Sequence, residues 1–200
     1  MSEVQILPNH VWTDLDFVGG HPCLDFLNTF ADTGKTRERD KIPTWPAVRT
    51  WAKRARFLPP LDLRELLKNQ ALDRPVDLLE LHRWREAAYG AMLDVLAGKN
   101  AEPTTLKTLR ERIRAAMDRG SFALRDGRFG WRPSGTSHHR WTDAAALSLE
   151  DLLRSDRLAH VRQCGRCTWL FVDRGRGVGR RWCVMSTCGN RAKAEAFRGR

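Results

Sequence analysis

The sequence lacks any run of eighteen apolar residues, so no segment is long and apolar enough to span a membrane as a helix. Its first residues lack the basic start and apolar stretch of a secretory signal. It also lacks a nucleophile motif, a phosphate-binding glycine loop and a carboxylate pair. We therefore expect a cytoplasmic protein that does not bind membranes and is not an enzyme.

Internal repeats and low-complexity runs are absent too, and the composition lies far from that of disordered proteins. The 200 residues are 42% hydrophobic and 30% charged, a balance that is typical of a folded globular protein. This length suits one domain of about 150 residues with a small module attached.

The net charge of +11 is unevenly distributed. Residues 160–200 hold 10 Lys and Arg against 2 acids, which gives +8. Residues 1–159 hold the other 25 against 22 acids, which gives +3. A basic concentration at one end of a chain favours a polyanion such as nucleic acid as partner, although a solvated basic tail would have the same composition.

Four of the five cysteines fall in the same basic region. Cys164 and Cys167 form a C-x2-C pair, and Cys183 and Cys188 form a C-x4-C pair after fifteen intervening residues. Two close pairs of thiolates are typical of a tetrahedral structural Zn²⁺ site. A disulfide framework is the alternative, but it needs an oxidising compartment. Cys23 stands alone, and we expect it to be a buried small hydrophobe.

The region around these cysteines has readable local patterns. Residues 168–172 predict a strand, the glycine-rich segment 173–179 a turn, and residues 180–184 a second strand that pairs with the first. Residues 189–198 are rich in alanine and predict a helix. A cysteine knuckle, a hairpin and a helix that follows the last ligand make a treble-clef-like finger, which we place at 156–200.

Residues 1–155 predict a mainly helical domain, because apolar residues recur there at helical spacing. One strand signal, 122–124 and 129–131 around Asp126-Gly127, predicts a tight hairpin. Thr142 is the expected N-cap of the last helix. Six tryptophans predict core positions or the wall of a ligand pocket: Trp12, Trp45, Trp51, Trp84, Trp131 and Trp141. The predicted helices are 22–33, 46–58, 61–70, 75–97, 104–119 and 142–155.

Two groups in this domain are candidates for chemistry. His21, Asp25 and Asn28 are close in sequence and make a candidate ligand pocket, but Asp and Asn near a helix start more often bond to backbone groups. The adjacent His138 and His139 would join a metal site only if both pointed at one ion, so we expect them to be exposed loop residues.

Two segments resemble known bacterial families. Residues 164–173, Cys-Gly-Arg-Cys-Thr-Trp-Leu-Phe-Val-Asp, and residues 180–191, which end in the tetrad Cys-Gly-Asn-Arg, resemble the CGNR zinc finger in spacing and composition. Residues 19–29, Gly-Gly-His-Pro-Cys-Leu-Asp-Phe-Leu-Asn-Thr, resemble the opening signature of the ABATE domain. The resemblance implies a finger that follows an ABATE domain in a stress-induced transcription regulator.

Together these features predict a DNA-binding regulator that contains one zinc ion and whose helical domain senses a small-molecule effector or forms a homodimer. Arg191 and Asn190 have a second interpretation, as supports for the cysteine sulfurs. The alternatives are a protein-docking adaptor, and a small-molecule binder or enzyme with a zinc-stabilised tail. The residues expected to contact DNA are Arg174, Arg176, Arg180, Arg181, Arg191, Lys193 and Arg198.

Overall fold

The computed structural model of the protein describes residues 4–31, 35–125, 127–175 and 179–198. The chain forms two compact units. We call Met1–Trp51 with Asp156–Arg200 the composite unit, because it combines two distant parts of the chain. We call Ala52–Ser155 the helical unit.

The helical unit contains long helices and one hairpin. Each predicted helix from residue 61 onwards is confirmed to within a few residues, which is the usual uncertainty of a helix end. Its elements are α3 (Pro60–Lys68), α4 (Pro75–Leu96), α5 (Pro103–Arg119), the antiparallel strands β4 (Ser121–Arg125) and β5 (Arg128–Arg132), and α6 (Arg140–Arg154). Helix α2 (Trp45–Ala55) precedes them and contains the boundary between the units.

Helices α4, α5 and α6 pack on one another through the stripes that the sequence predicts. Leu81 and Met92 of α4, Ala116 of α5 and Leu152 of α6 are all at most 2% exposed. Among the tryptophans, Trp51, Trp84 and Trp141 are buried, and Trp12, Trp45 and Trp131 are partly buried. In the described part of the chain, no helix is both long and apolar enough to cross a bilayer.

The start of α6 differs from the prediction. The helix begins at Arg140, after His139, and Thr142 is buried within its first turns. Arg140 is itself fully buried, where its guanidinium bonds to the Asp73 carboxylate and donates to the Asn69 carbonyl at 2.7 Å. Sequence periodicity does not reveal this ion pair, and the helix starts two residues before the predicted position. The Asp126 half of the predicted hairpin turn lies outside the described residues.

The composite unit has little regular structure. A three-stranded sheet has β1 (Gln5–Ile6) parallel to β3 (Arg39–Asp40), and β3 antiparallel to β2 (Phe30–Ala31). A second sheet pairs β6 (Val161–Gln163) with β7 (Leu170–Val172) in antiparallel register, with Arg162 opposite Phe171. The unit also contains α1 (Pro22–Leu27), a π-helical turn (Met185–Gly189) and α7 (Asn190–Arg198).

Two predictions for this unit are wrong. The helix expected over 22–33 ends at Leu27 and gives way to β2. The strand expected at 168–172 does form, but it pairs with β6 and not with 180–184. The backbone of Leu170 and Val172 that faces away from β6 is bonded instead to Asn28 and Gly19. The edge of β7 on which we expected a second finger strand is therefore occupied by hydrogen bonds to Asn28 and Gly19.

Candidate metal centre and nucleic-acid interface

The four finger cysteines converge on one point. Their sulfurs all lie within 4.8 Å of one another, and each residue is at most 7% exposed. The Sγ of Cys183 is 3.6 Å from that of Cys167 and 3.5 Å from that of Cys188. The predicted ligands are thus brought together from the knuckle after β6, the segment after residue 179 and the π-helical turn before α7.

The backbone fixes the first pair of sulfurs. The amide of Cys164 donates to the Trp169 carbonyl at 2.9 Å, which closes the knuckle between β6 and β7. The amides of Arg166 and Cys183 both point at the Sγ of Cys164, at 3.4 Å and 3.3 Å. Such N–H groups stabilise a thiolate, as they would any anionic acceptor.

The cluster suits one structural zinc ion. Zinc bound by four sulfurs at about 2.3 Å sets them roughly 3.8 Å apart, which is close to the spacings of these sulfurs. Hydrogen bonds from Cys167, Cys183 and Cys188 hold the pKa of Cys164 well below its usual range. Four thiols this close and this buried cannot all ionise without a cation among them, and zinc supplies that charge. Because four protein ligands fill its coordination, the metal's contribution is to the fold.

Trp182 packs against the cluster through two glycines. A Cβ at Gly165 would lie 2.8 Å from the Trp182 ring, and one at Gly189 would lie 3.2 Å from it. The Gly165 amide also donates to the Arg181 carbonyl at 2.9 Å. These close approaches explain the glycine that follows the first cysteine and the glycine of the Cys-Gly-Asn-Arg tetrad.

Asn28 joins the N-terminal segment to the finger. Its side-chain amide donates to the Leu170 carbonyl at 2.9 Å, and its carbonyl oxygen accepts from the Leu170 amide at 2.9 Å. Asn28 is 2% exposed and Leu170 is fully buried. The side chain thus occupies the free edge of β7 as a neighbouring strand would. The candidate pocket residue is engaged with the finger's backbone.

Gly19 and Asp25 extend this contact. The Val172 amide donates to the Gly19 carbonyl at 2.8 Å, and the Gly19 amide donates to the Asp25 carboxylate at 2.8 Å. A Cβ at Gly19 would lie 2.8 Å from that carboxylate, so glycine is required for the approach. Burial raises the pKa of Asp25 to about 7, against the opposing effect of the Gly19 hydrogen bond.

His21 completes the local arrangement. Its ring nitrogen accepts from the Cys23 amide at 3.2 Å and caps α1, and the imidazole is 4% exposed. Cys23 is 1% exposed, which confirms its predicted burial. His21, Asp25 and Asn28 are therefore all buried and all bonded to backbone groups of the composite unit.

A second link to the finger was not predicted from the sequence. The Lys41 ammonium lies 4.7 Å from the ring centre of Trp169 and 2.6 Å from the Asp16 carboxylate. Lys41 and Arg191 line one cavity of about 260 Å³ that also touches Cys167 and Cys188. Lys41 lies in no periodic pattern, so the sequence carries no signal for this contact.

The predicted DNA-contacting residues divide into two kinds. The Arg180 guanidinium donates to the Trp182 carbonyl at 2.9 Å, bonds to the Cys183 carbonyl and lies 4.4 Å from the Phe171 ring centre. Arg180 therefore stabilises the loop that carries the third cysteine. Arg176 lies outside the described residues. The side chain of Arg180 is nevertheless exposed, as are those of Arg174, Arg181, Arg191, Lys193 and Arg198.

Helix α7 presents its cations on two sides. Arg191 and Arg198 share one face, because seven residues make about two turns. Lys193 lies roughly 160° around the helix from Arg191. Glu195, on the face of Arg191, is engaged by Arg166 at 2.6 Å. Asn190 donates to the Ser186 carbonyl at 3.1 Å and so stabilises the π-helical turn.

The adjacent histidines of the helical unit point at different partners. His138 Nδ1 lies 3.2 Å from the Leu72 carbonyl, and His139 Nδ1 lies 2.8 Å from the Glu80 carboxylate. Both are partly buried, whereas the sequence predicts exposed residues. Their divergence agrees with the expectation that they do not share one metal ion.

Comparison with known proteins matches both regions of the chain. The model of the CGNR zinc finger matches residues 160–200. The ABATE model, described as "Putative stress-induced transcription regulator", matches residues 20–156. No curated protein matches the chain. Because the ABATE model covers more than half of the sequence and the finger model most of the remainder, the chain belongs to the ABATE family and carries a CGNR zinc finger.

Proposed function

We propose that this protein is a cytoplasmic, stress-responsive transcription regulator whose zinc finger binds DNA and whose helical region, within residues 1–155, senses an effector or dimerises. The family description supports the regulatory role. In this proposal residues 156–200 are the DNA-contacting domain, and the protein is not an enzyme.

The exposed cations of the finger carry the proposal. Arg174, Arg181, Arg191, Lys193 and Arg198 extend into solvent from elements that the cysteine cluster orders. Arg181 stacks on the Trp182 ring at 4.7 Å, which holds its guanidinium at the surface. Ordered guanidinium groups suit phosphate oxygens, which supply most of the affinity of non-specific DNA binding.

The test is DNA affinity as a function of salt. We expect the zinc-loaded full chain to bind a labelled duplex in fluorescence anisotropy, with affinity that falls steeply as salt rises. The double variant Arg181→Ala/Arg191→Ala should lower the slope of log affinity against log salt by about 0.9 for each DNA phosphate that is no longer neutralised. Unchanged affinity and slope in this variant would contradict the proposed surface.

The matched control removes the same charge elsewhere. Arg110 and Arg114 are exposed on α5 of the helical unit, so Arg110→Ala/Arg114→Ala also lowers the net charge by two. This variant should bind DNA like the parent. Arg180→Ala is unsuitable, because it removes the bonds to the cysteine loop. Selection and sequencing of bound genomic fragments then distinguishes a regulator with an operator from the adaptor alternative, which would enrich no motif.

Dimerisation has its own supporting observation. Cross-strand pairing places Phe122 opposite Trp131 and Leu124 opposite Phe129 on the β4–β5 hairpin. Phe122, Leu124 and Phe129 are each 57–69% exposed. Such an apolar face suits a second copy, as in two-fold symmetric regulators. Sedimentation of Phe122→Ser/Phe129→Ser should show a monomer where the parent is a dimer; equal masses would contradict this.

The raised pKa of Asp25 favours the small-molecule or enzyme alternative, because shifted carboxyls gather at functional sites. Its hydrogen bond to Gly19 and the bonding of Asn28 to Leu170 support a structural role instead.

A further inference from the structure

A cavity that is open to solvent and lined by polar side chains lies within the helical unit. Its volume is about 550 Å³, within the range of small-molecule sites. Its lining consists of two arginines, two histidines and three hydroxyl side chains: Arg74, Arg119, Ser134, Thr136, Ser137, His138 and His139. All seven carry hydrogen-bond donors or groups that become donors, which is the chemistry that surrounds an oxyanion.

Carboxylates orient three of these donors. Asp77 accepts two bonds from Arg74, both at 2.7 Å, and Asp143 accepts two from Arg119, at 2.6 Å and 2.8 Å. Glu80 contacts His139 at 2.8 Å. Asp77 is 3% exposed and Asp143 fully buried, whereas the Arg74 and Arg119 side chains are 47% and 33% exposed. Each arginine is therefore held by a buried acid while part of its side chain reaches solvent.

The loop that supplies the hydroxyl groups is held in place as well. Asn69 donates to the Gly135 carbonyl at 2.8 Å, and His138 contacts the Leu72 carbonyl at 3.2 Å. The hydroxyls of Ser134 and Thr136 share a hydrogen bond of 3.1 Å, so one of them donates to the other and the second can turn its proton to an outside acceptor. Helix α6 begins directly after this loop, and its positive end adds to the attraction for an anion.

A cation at the same place is disfavoured, although Asp77, Glu80 and His139 lie close enough to share one. Both oxygens of Asp77 accept from Arg74, and the two oxygens of Glu80 are engaged by Arg112 and His139. A metal ion would have to displace guanidinium groups from both carboxylates. An anion would instead approach the arginines themselves, which line the cavity with side chains that are 47% and 33% exposed.

We propose that this cavity binds a small metabolite through an oxyanion, a phosphate ester or a carboxylate, which Arg74 and Arg119 grip and the hydroxyls of Ser134, Thr136 and Ser137 orient. The interpretation of this cavity as the effector site rests on the proposed regulatory function. Anion binding does not depend on that function and is measured without DNA. Failure to bind an anion is therefore distinguishable from failure to bind DNA.

The experiment is calorimetric titration of the zinc-loaded full chain with inorganic phosphate, sulfate and succinate. Ionic strength is held at about 0.15 M with chloride, because a protein of net charge +11 attracts any anion weakly. We expect saturable binding of one equivalent. Tighter binding of phosphate and sulfate than of succinate assigns a phosphate ester, and the reverse order assigns a carboxylate.

Two variants locate the binding. Arg74→Gln should weaken it about tenfold or more, the loss expected for a charge-assisted pair. Ser134→Ala/Thr136→Val should weaken it several-fold without changing any charge, and it removes no bond to another element. Circular dichroism melts establish that each variant is folded, and the double variant keeps the test valid if Arg74→Gln is unstable.

Arg114→Gln is the matched control, since Arg114 is 82% exposed on α5 and pairs only loosely with Asp118 at 3.9 Å. It should bind as the parent does. The proposal is overturned if none of the three anions binds saturably at concentrations up to about 10 mM, which would leave a dissociation constant weaker than specific sites have. Equal weakening by Arg114→Gln and Arg74→Gln would also overturn it, because that result describes a general charge effect.

Discussion

The helical unit and the composite unit reach a folded state by different means. In the helical unit, helices of nine to twenty-two residues bury apolar stripes such as Leu81, Met92 and Leu152 against one another. In the composite unit, most strands have two or three residues and α1 has six. Its buried centre includes the four cysteines with Phe171.

This contrast shows which interactions stabilise a unit with little regular structure. Short strands and a six-residue helix do not persist alone, because helix and hairpin formation need more residues or tertiary support. Here the support comes from the zinc ligands and from side chains that bond to backbone, above all Asn28 and Asp25. The helical unit relies on burial of apolar surface, which is spread over many residues.

The largest expected effect is that loss of zinc unfolds the composite unit and leaves the helical unit folded. Cys183→Ser should abolish zinc binding and cost the composite unit on the order of 10 kcal/mol, the contribution of structural zinc sites. We expect near-ultraviolet dichroism from Trp169 and Trp182 to disappear, while the helical far-ultraviolet signal of the helical unit persists. Elemental analysis gives the zinc content of the same samples.

Cys23→Ala is the matched control, because Cys23 is equally buried but lies outside the cluster. It should retain one zinc per chain and lose only a modest amount of stability. Full zinc content in Cys183→Ser, or loss of all helical signal together with the metal, would contradict the contrast between the units.

The next effect tests the two hydrogen bonds that the Asn28 side chain makes to the backbone of Leu170 in β7. Asn28→Ala leaves the amide and carbonyl of Leu170 buried without their partner, at a cost of about 2–5 kcal/mol. Denaturant unfolding followed by tryptophan fluorescence measures this loss, and zinc affinity should fall with it. Asn190→Ala removes an amide bond at an exposed site and should cost less than about 1 kcal/mol. Equal effects in the two variants would refute the role given to Asn28.

A substitution in the core of the helical unit should lower the stability of that unit without releasing zinc. Leu152 is fully buried in α6, so Leu152→Ala should cost about 3 kcal/mol, because less apolar surface is buried and a cavity remains. Zinc content should stay at one per chain. If the Leu152→Ala variant releases zinc at temperatures where the parent protein keeps it, the two units unfold together.

How well the sequence predicts each unit follows from the same contrast. Helical periodicity locates α3 to α6 to within a few residues, because an amphipathic stripe is a local pattern. Cysteine spacing locates the zinc ligands, because the two pairs lie in short local loops. The partner of β7 was predicted wrongly, because Asn28 and Gly19 reach it from more than 140 residues away.

Individual charged residues show the same limit. Arg180 and Arg181 are neighbours and look alike in the sequence. In the structure Arg180 bonds to carbonyls of the cysteine loop, whereas Arg181 stacks on Trp182 at the surface. Lys41 and Asp16 form a buried ion pair that composition does not signal. Side-chain roles of this kind depend on tertiary contacts, so no local pattern predicts them.

The smallest expected effect concerns the pKa of Asp25. Burial raises it to about 7, so between pH 4 and 7 the folded state holds a proton that the unfolded state has released. Stability therefore falls as pH rises through this range, and the loss between pH 6 and 8 should be on the order of 1 kcal/mol.

Asp25→Asn keeps an oxygen for the Gly19 amide and has no charge to bury, so its stability should vary less with pH over this interval. Asp118→Asn, at an exposed carboxyl of the helical unit, should retain the parent's slope. Urea unfolding at zinc saturation gives the free energy of unfolding at each pH. If its slope against pH is the same for all three proteins, the carboxyl of Asp25 does not contribute to the pH dependence. Burial of this carboxyl would then not destabilise the composite unit.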